Sequence, residues 1–113
     1  MNRLPKNFNA EEFVGKTLEQ LGIGLFQTQL RFSGKIVVSI EGSVGIDQSK
    51  QIPVFEAGSI LLKMIGKRVT KSSVLGEEKF DIIFENGIRL IIYDSNSTSE
   101  SFSIDSPSGI VVV

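Results

Sequence analysis

The acidic pairs Glu11-Glu12 and Glu77-Glu78, with the separate aspartates Asp47 and Asp105, have the types and spacing that could do acid–base chemistry. Neighbouring carboxylates can split their proton affinities, so that one serves as acid while the other serves as base. Each also has a plainer reading. Glu11-Glu12 falls at a helix start, where acids favour the positive end of the backbone dipoles. Glu77-Glu78 follows Gly76 at a strand–strand turn, and Asp47 and Asp105 open β-turns, where Asp bonds its own backbone. The cap and turn readings need nothing further from the chain, and we prefer them.

The rest of the inventory is thin. The chain has no histidine and no cysteine. That removes the commonest general base and metal ligand, and every thiol nucleophile or thiolate site. The tract Asp94–Ser101 is rich in hydroxyls but has no His or nearby Lys to activate one. We therefore assign no catalytic residue, no cofactor site and no metal site, and read the chain as a non-enzyme. The basic cluster Lys63, Lys67, Arg68, Lys71 and Lys79 lacks the interleaved aromatics that stack on bases, and reads as a solvated face. Gly22-Ile23-Gly24 and Gly42-x-x-Gly45 have no strand–loop–helix frame around them for a phosphate. A net charge of −1 gives no positive field for nucleic acid or anionic membrane. No run approaches a membrane span and MNRLPKNFNAEEF holds no apolar signal segment, so the expected location is cytoplasmic. The sequon Asn96-Ser97-Thr98 carries no weight on that reading.

The elements that must carry these residues follow a repeat. With 113 residues, 41% of them apolar, the chain suits a single domain, residues 1–113, with its own core. Phe13-Val14-Gly15-Lys16 is echoed by Met64-Ile65-Gly66-Lys67, and Leu18 and Ile23 by Val69 and Val74. Thr28, Leu30 and Phe32 map on Phe80, Ile82 and Phe84; Ile36, Val38 and Ile40 map on Ile88, Leu90 and Ile92. SVGIDQSKQIPVF at 43–55 shares its S-x-x-I-D frame with SFSIDSPSGIVVV at 101–113, so that Ile52 and Val54 match Ile110 and Val112. Collinear matches in one order, with drift in the loops, describe internal repeats at about 8–55 and 56–113.

Each repeat opens with a helix. Asn9 caps the first, Glu12 completes a capping box, Phe8 staples to Phe13 and Gly15 ends it. The second opens at Glu56, carries the stripe Ile60, Leu61, Met64 and Ile65, and closes at Gly66. Strands follow. Leu18 to Ile23 and Val69 to Val74 are odd intervals for inward positions, which predicts a bulge at the same place in each repeat. F-E-N-G-I predicts a three-residue hairpin loop with Gly87 left-handed, and in F-S-G-K-I the glycine comes one place earlier. Closing hairpins join Ile46 to Ile52 and Ile104 to Ile110, the second turning at Pro107 and Gly109. The expected fold is α+β and mostly β: two duplicated helix-plus-β-meander modules, related by a pseudo-twofold, forming a sandwich or partly open barrel. Val37, Ile83, Ile91 and Tyr93 make the second strand face apolar as well, which marks them as a candidate interface.

L-L-K-M-I-G-K-R-V at 61–69, then F-E-N-G at 84–87, then E-S-F at 100–102, resembles a group of small bacterial proteins. Members carry a helix ending in L-x-G-x-x-V, then F-x-D/N-G, then a Tyr-Glu-x-Trp-like element before a final hairpin; here Phe102 stands in the place of the tryptophan, and no tyrosine precedes Glu100. The resemblance implies the β-rich fold and no activity; small proteins of this type are similar in kind to immunity proteins of toxin systems. The leading expectation is a non-enzymatic, cytoplasmic protein-binding protein, an immunity protein neutralising a toxin being its most concrete form. The partner is a toxin or a second copy in a homodimer, and neither nucleic acid nor membrane is expected. The alternative is a small-ligand-binding protein with a pocket between the two repeats.

Overall fold

Short runs of β-branched and aromatic residues, cut by glycine and polar turns, favour many short strands over helices. The computed structural model describes residues 4–6, 8–47, 50–94 and 101–113. Among these residues ten strands run in order: β1 Leu18–Ile23, β2 Thr28–Phe32, β3 Ile36–Ile40, β4 Ser43–Ile46 and β5 Ile52–Pro53, then β6 Val69–Val74, β7 Lys79–Phe84, β8 Arg89–Tyr93, β9 Phe102–Ser106 and β10 Gly109–Val112. One short helix, α1 Gly58–Leu62, lies between β5 and β6. The strands form two five-stranded antiparallel sheets, β1-β2-β3-β9-β10 and β5-β4-β8-β7-β6, packed about one core and not closed. Each sheet takes three consecutive strands from one half of the chain and two from the other.

A bridge between Thr17 and Arg68 joins the sheets at one corner. Around it the backbone bonds come in matched pairs. Gly15 N–H donates to Val69 O (2.9 Å) and Gly66 N–H to Leu18 O (2.7 Å), while Leu18 N–H donates to Lys67 O (3.0 Å) and Val69 N–H to Lys16 O (2.8 Å). Gly15 and Gly66 both have positive φ, +86° and +89°, the left-handed turn that lets the chain leave its helical segment and enter the strand. The expected irregularities occur at matched places: the β1–β2 register slips between Leu18 and Gln20, and the β6–β7 register between Val69 and Lys71. Such a slip turns the strand and lets an odd spacing serve one face. The loop after β7 also forms as read, with Phe84 N–H bonded to Ile88 O (2.9 Å) and Gly87 at φ +87°.

The core is aromatic at its centre. Phe13 meets Phe32 (5.5 Å between centroids) and Phe80 (5.7 Å), and Phe80 meets Phe102 (5.5 Å). Leu18, Leu30, Val38 and Ile40 from one sheet, and Ile82, Leu90 and Ile92 from the other, are fully buried around them. Burying each such side chain contributes about 1.5–3 kcal/mol, so this layer is the main force holding the sheets together.

Several local expectations are corrected. The first helical segment is a 3-10 turn, Ala10–Phe13, in which Asn9 Oδ1 accepts from Glu11 N–H (3.1 Å) and not from the N–H of Glu12, so the capping box is not formed. Phe8 stands edge-on to Phe80, at 5.3 Å, and Phe13 lies against the same ring. The second helix is much shorter than Glu56–Gly66. A 3-10 turn at Val54–Ala57 precedes α1, and Lys63, Met64 and Ile65 then bond three residues back, so the chain tightens into turns. With three residues per turn, Leu61 and Met64 face the core while Ile65 is exposed.

The closing hairpins are not equivalent throughout. Their first strands are: Val44 faces Ile92 and Ile46 faces Leu90 as Phe102 faces Ile40 and Ile104 faces Val38. The return strands differ. Val44 faces Ile52, whereas Phe102 exchanges backbone bonds with Val113, three residues beyond the residue that the aligned sequences pair with it. A tight turn at Pro107-Ser108 lets β10 follow β9 to the last residue, while β5 stops as Val54 enters the 3-10 turn. The two matched aspartates are placed differently, Gln48 and Ser49 of the Asp47 turn lying outside the described residues. Asp47 Oδ1 accepts from Arg89 N–H (3.0 Å), and Asp105 lies within β9, opposite Val37 and Ile110.

Candidate functional site

Alternation along antiparallel strands sends one set of side chains to the core and the other outward. Val37 is on the outer face of the first sheet, between Arg31 and Asp105. Ile83, Ile91 and Tyr93 are on the outer face of the second sheet. The four candidate interface residues therefore do not form one patch.

The second outer face is also largely occupied by its own neighbours. Asp81, opposite Ile91, is buried; its Oδ2 accepts from Arg89 Nε (2.9 Å) and its Oδ1 from Ser73 N–H (2.8 Å). A buried carboxylate must be satisfied in this way, because an unpaired one would lose its hydration without return. The Tyr93 ring leans over Gly45, where an added Cβ would come within 3.2 Å of the hydroxyl, and Lys79 Nζ stands 5.6 Å from the ring centroid. Between these groups Ile91 is only 7% exposed. Apolar residues on a second face can thus be covered by the face itself, and Ile91 needs no partner for its burial.

The larger exposed apolar surface lies elsewhere, and period-two reasoning about strand faces missed it. The β1–β2 loop carries Leu25 and Phe26, 89% and 80% exposed. Ile23, at the end of β1, is half exposed, and its Cδ1 lies so close to Gly58 that a Cβ there would approach to 3.2 Å. That contact brings the end of β1 against the start of α1, and α1 and the preceding 3-10 turn expose Leu62 and Phe55 (67%) in their turn. The signal was available: Gly-Leu-Phe-Gln puts two large apolar residues where a turn ordinarily carries polar ones.

The candidate chemistry is dispersed. Glu12 Oε1 accepts from Ser108 Oγ (3.0 Å), Glu77 and Glu78 stand at the β6–β7 loop, and Asp47 and Asp105 are on different sheets. Among the described residues no three His, Cys, Asp or Glu side chains are grouped to hold a metal ion. Asp94 Oδ1 accepts from Ser101 Oγ (3.0 Å), while the rest of the polar tract, residues 95–100, with its sequon and Glu100, lies outside the described residues. No helix among the described residues is long and apolar enough to cross a membrane. Comparison with protein-family models, curated proteins and solved structures gave no match, so the motif resemblance carries no family assignment.

Proposed function

We propose that this chain is a non-catalytic protein-binding module whose contact surface is the β1–β2 loop with the adjoining face of α1. The observation that carries this reading is the exposure of Leu25 and Phe26 together, next to Ile23, whose Cδ1 reaches Gly58 at the start of α1. Large apolar side chains grouped on a surface lower their free energy when a partner covers them, and aromatic ones are the commonest anchors of an interface. The partner is a protein with an apolar recess; a toxin held inactive by the chain, in a bacterial cytoplasm, is the most concrete version.

We further read the scaffold as a duplicated unit with a pseudo-twofold passing near the Thr17–Arg68 bridge. The matched bonds around that bridge, the matched register slips and the matched pairing of β4 and β9 support this. The reading covers β1–β4 and β6–β9 and leaves out the return strands, whose registers differ. The alternative of a small-ligand pocket between the repeats gains no support from the packing, since the phenylalanine cluster fills the space between the sheets.

The test is affinity capture on the immobilised wild-type chain beside the double variant Leu25→Glu/Phe26→Glu, with the variant's melting checked first. A protein retained by wild type and lost from the variant is the expected result. Identical retention by both would remove the loop as the binding surface. Relief of a captured toxin's growth arrest by wild type alone would specify the immunity role.

A further inference from the structure

A sheet with open edges offers unpaired backbone donors and acceptors to any passing strand, and stable proteins blunt such edges. Three of the four edges here are blunted. β5 is two residues long and ends in Pro53, which has no N–H to give. β1 carries a register slip and the charge of Glu19, and the backbone of Leu18 is already bonded to Gly66 and Lys67. β6 matches it, with its own slip, Lys71, and the backbone of Val69 bonded to Gly15 and Lys16.

The fourth edge has none of these devices. β10 reads Gly-Ile-Val-Val, pairs with β9 without a register slip, and holds no charge or proline. Its hydrogen-bond phase follows from its end. Val113 N–H donates to Phe102 O (2.9 Å) and Phe102 N–H to Val113 O (3.2 Å), so these two residues form a bonded pair. Bonded and non-bonded pairs alternate along an antiparallel ladder, so Val111 bonds toward β9, while Ile110 and Val112 direct N–H and C=O away from the sheet. Among the described residues no strand lies beyond them. Ile110 is 72% exposed.

We infer that β10 is a self-association edge, which pairs antiparallel with β10 of a second copy about a twofold axis at Val111. That register sets Ile110 of each copy against Val112 of the other, and those are the residues with outward backbone groups. About four backbone hydrogen bonds form, and the two sheets join into one. The register is self-complementary because the outward-bonding residues stand symmetrically about Val111. A second copy therefore satisfies both, and the segment carries no charge that would select a charged peptide instead. Ile110 and Val112 then meet Val112 and Ile110 on the outer face, apolar against apolar. A contact this short buries less than about 1,000 Å², so the dimer is weak, with dissociation in the micromolar range or above. It is independent of the β1–β2 loop and stands or falls without it.

Sedimentation equilibrium of the chain over a wide concentration range tests this, using wild type, Ile110→Lys and Val112→Pro. Both substitutions fall on an exposed edge, and the proline removes an N–H that β9 does not use. The average mass of wild type is expected to rise from 12.4 kDa toward twice that value. Each variant is expected to weaken association by about tenfold or more, as blunted edges do. A wild-type chain that stays monomeric at millimolar concentration, or variants that associate as wild type does, would overturn the inference. Because the chain has no cysteine, Val111→Cys supplies a second readout. A non-bonded antiparallel pair brings the two Cα atoms to about 4.5 Å, within disulfide reach, so mild oxidation should cross-link it faster than Val74→Cys on the β6 edge. Equal rates for the two would count against β10.

Discussion

The loop between β1 and β2 and the loop between β6 and β7 leave register-matched strands and end differently. In the first, Gly24 N–H closes on Gln27 O (2.8 Å), and Leu25 and Phe26 project from the loop with little around them. In the second, Leu75 N–H closes on Lys79 O (2.9 Å), the loop is Gly76-Glu77-Glu78, and Leu4 is buried beside it with its N–H bonded to Glu77 O (3.0 Å). The strand positions behind the loops differ too: Ile23 faces Thr28, whereas Val74 faces Phe80. One end is polar at its tip and sealed from below by Leu4, Phe8 and Phe80. The other is apolar at its tip and has no such seal among the described residues. Strand register fixes where a loop starts, while the side chains in it and the segments packed on it decide whether the end becomes core or contact surface.

Substitutions at matched positions should separate the two ends, most clearly at Phe80. Phe80→Ala removes the ring shared by Phe8, Phe13 and Phe102, and should cost about 3–5 kcal/mol in denaturant unfolding. A loss below about 1 kcal/mol would mean that the sealed end does not depend on its aromatic centre. Leu4→Ala, next in size, should cost about 2 kcal/mol, since a buried leucine leaves a cavity that a short segment only partly closes. At the other end Thr28 is buried and its Oγ1 meets no hydrogen-bond partner, so Thr28→Val should raise stability by about 1 kcal/mol. A destabilised Thr28→Val would show that the hydroxyl is satisfied in solution. The smallest effects belong to the open tip: Leu25→Ala and Phe26→Ala should each shift stability by no more than about 0.5 kcal/mol. If either cost as much as Leu4→Ala, the tip would be packed in the isolated chain and the contrast between the ends would fail.

Much of this scaffold was legible in residue order because the signals are local. An odd interval between apolar positions forces a register slip wherever a strand must keep one face inward, and both slips fall between the residues that spacing marked. Gly15, Gly66 and Gly87 all adopt the positive φ that their places in the pattern require. The helical period overstates the helices. The stripe at Ile60, Leu61, Met64 and Ile65 fits a helical period, yet Gly66 must reach Leu18 O, and the chain meets that demand by tightening into turns. Alternation tells inward from outward but cannot tell which sheet a strand joins, so it groups Val37 with residues of the opposite sheet.

Residue order alone carries the β-rich composition of the fold, the places of its turns and bulges, and the lack of histidine and thiol side chains. These depend on φ preferences, side-chain period and atom type, all carried within a few residues. The pairing of β9 and β10 with the first sheet and of β4 and β5 with the second, the cover of Ile91 by its own neighbours, and the place of β10 as an edge among the described residues come from the folded arrangement alone. Those outcomes depend on which distant segments occupy the same space, and the pairing of distant strands is settled by the shared core that both sheets bury.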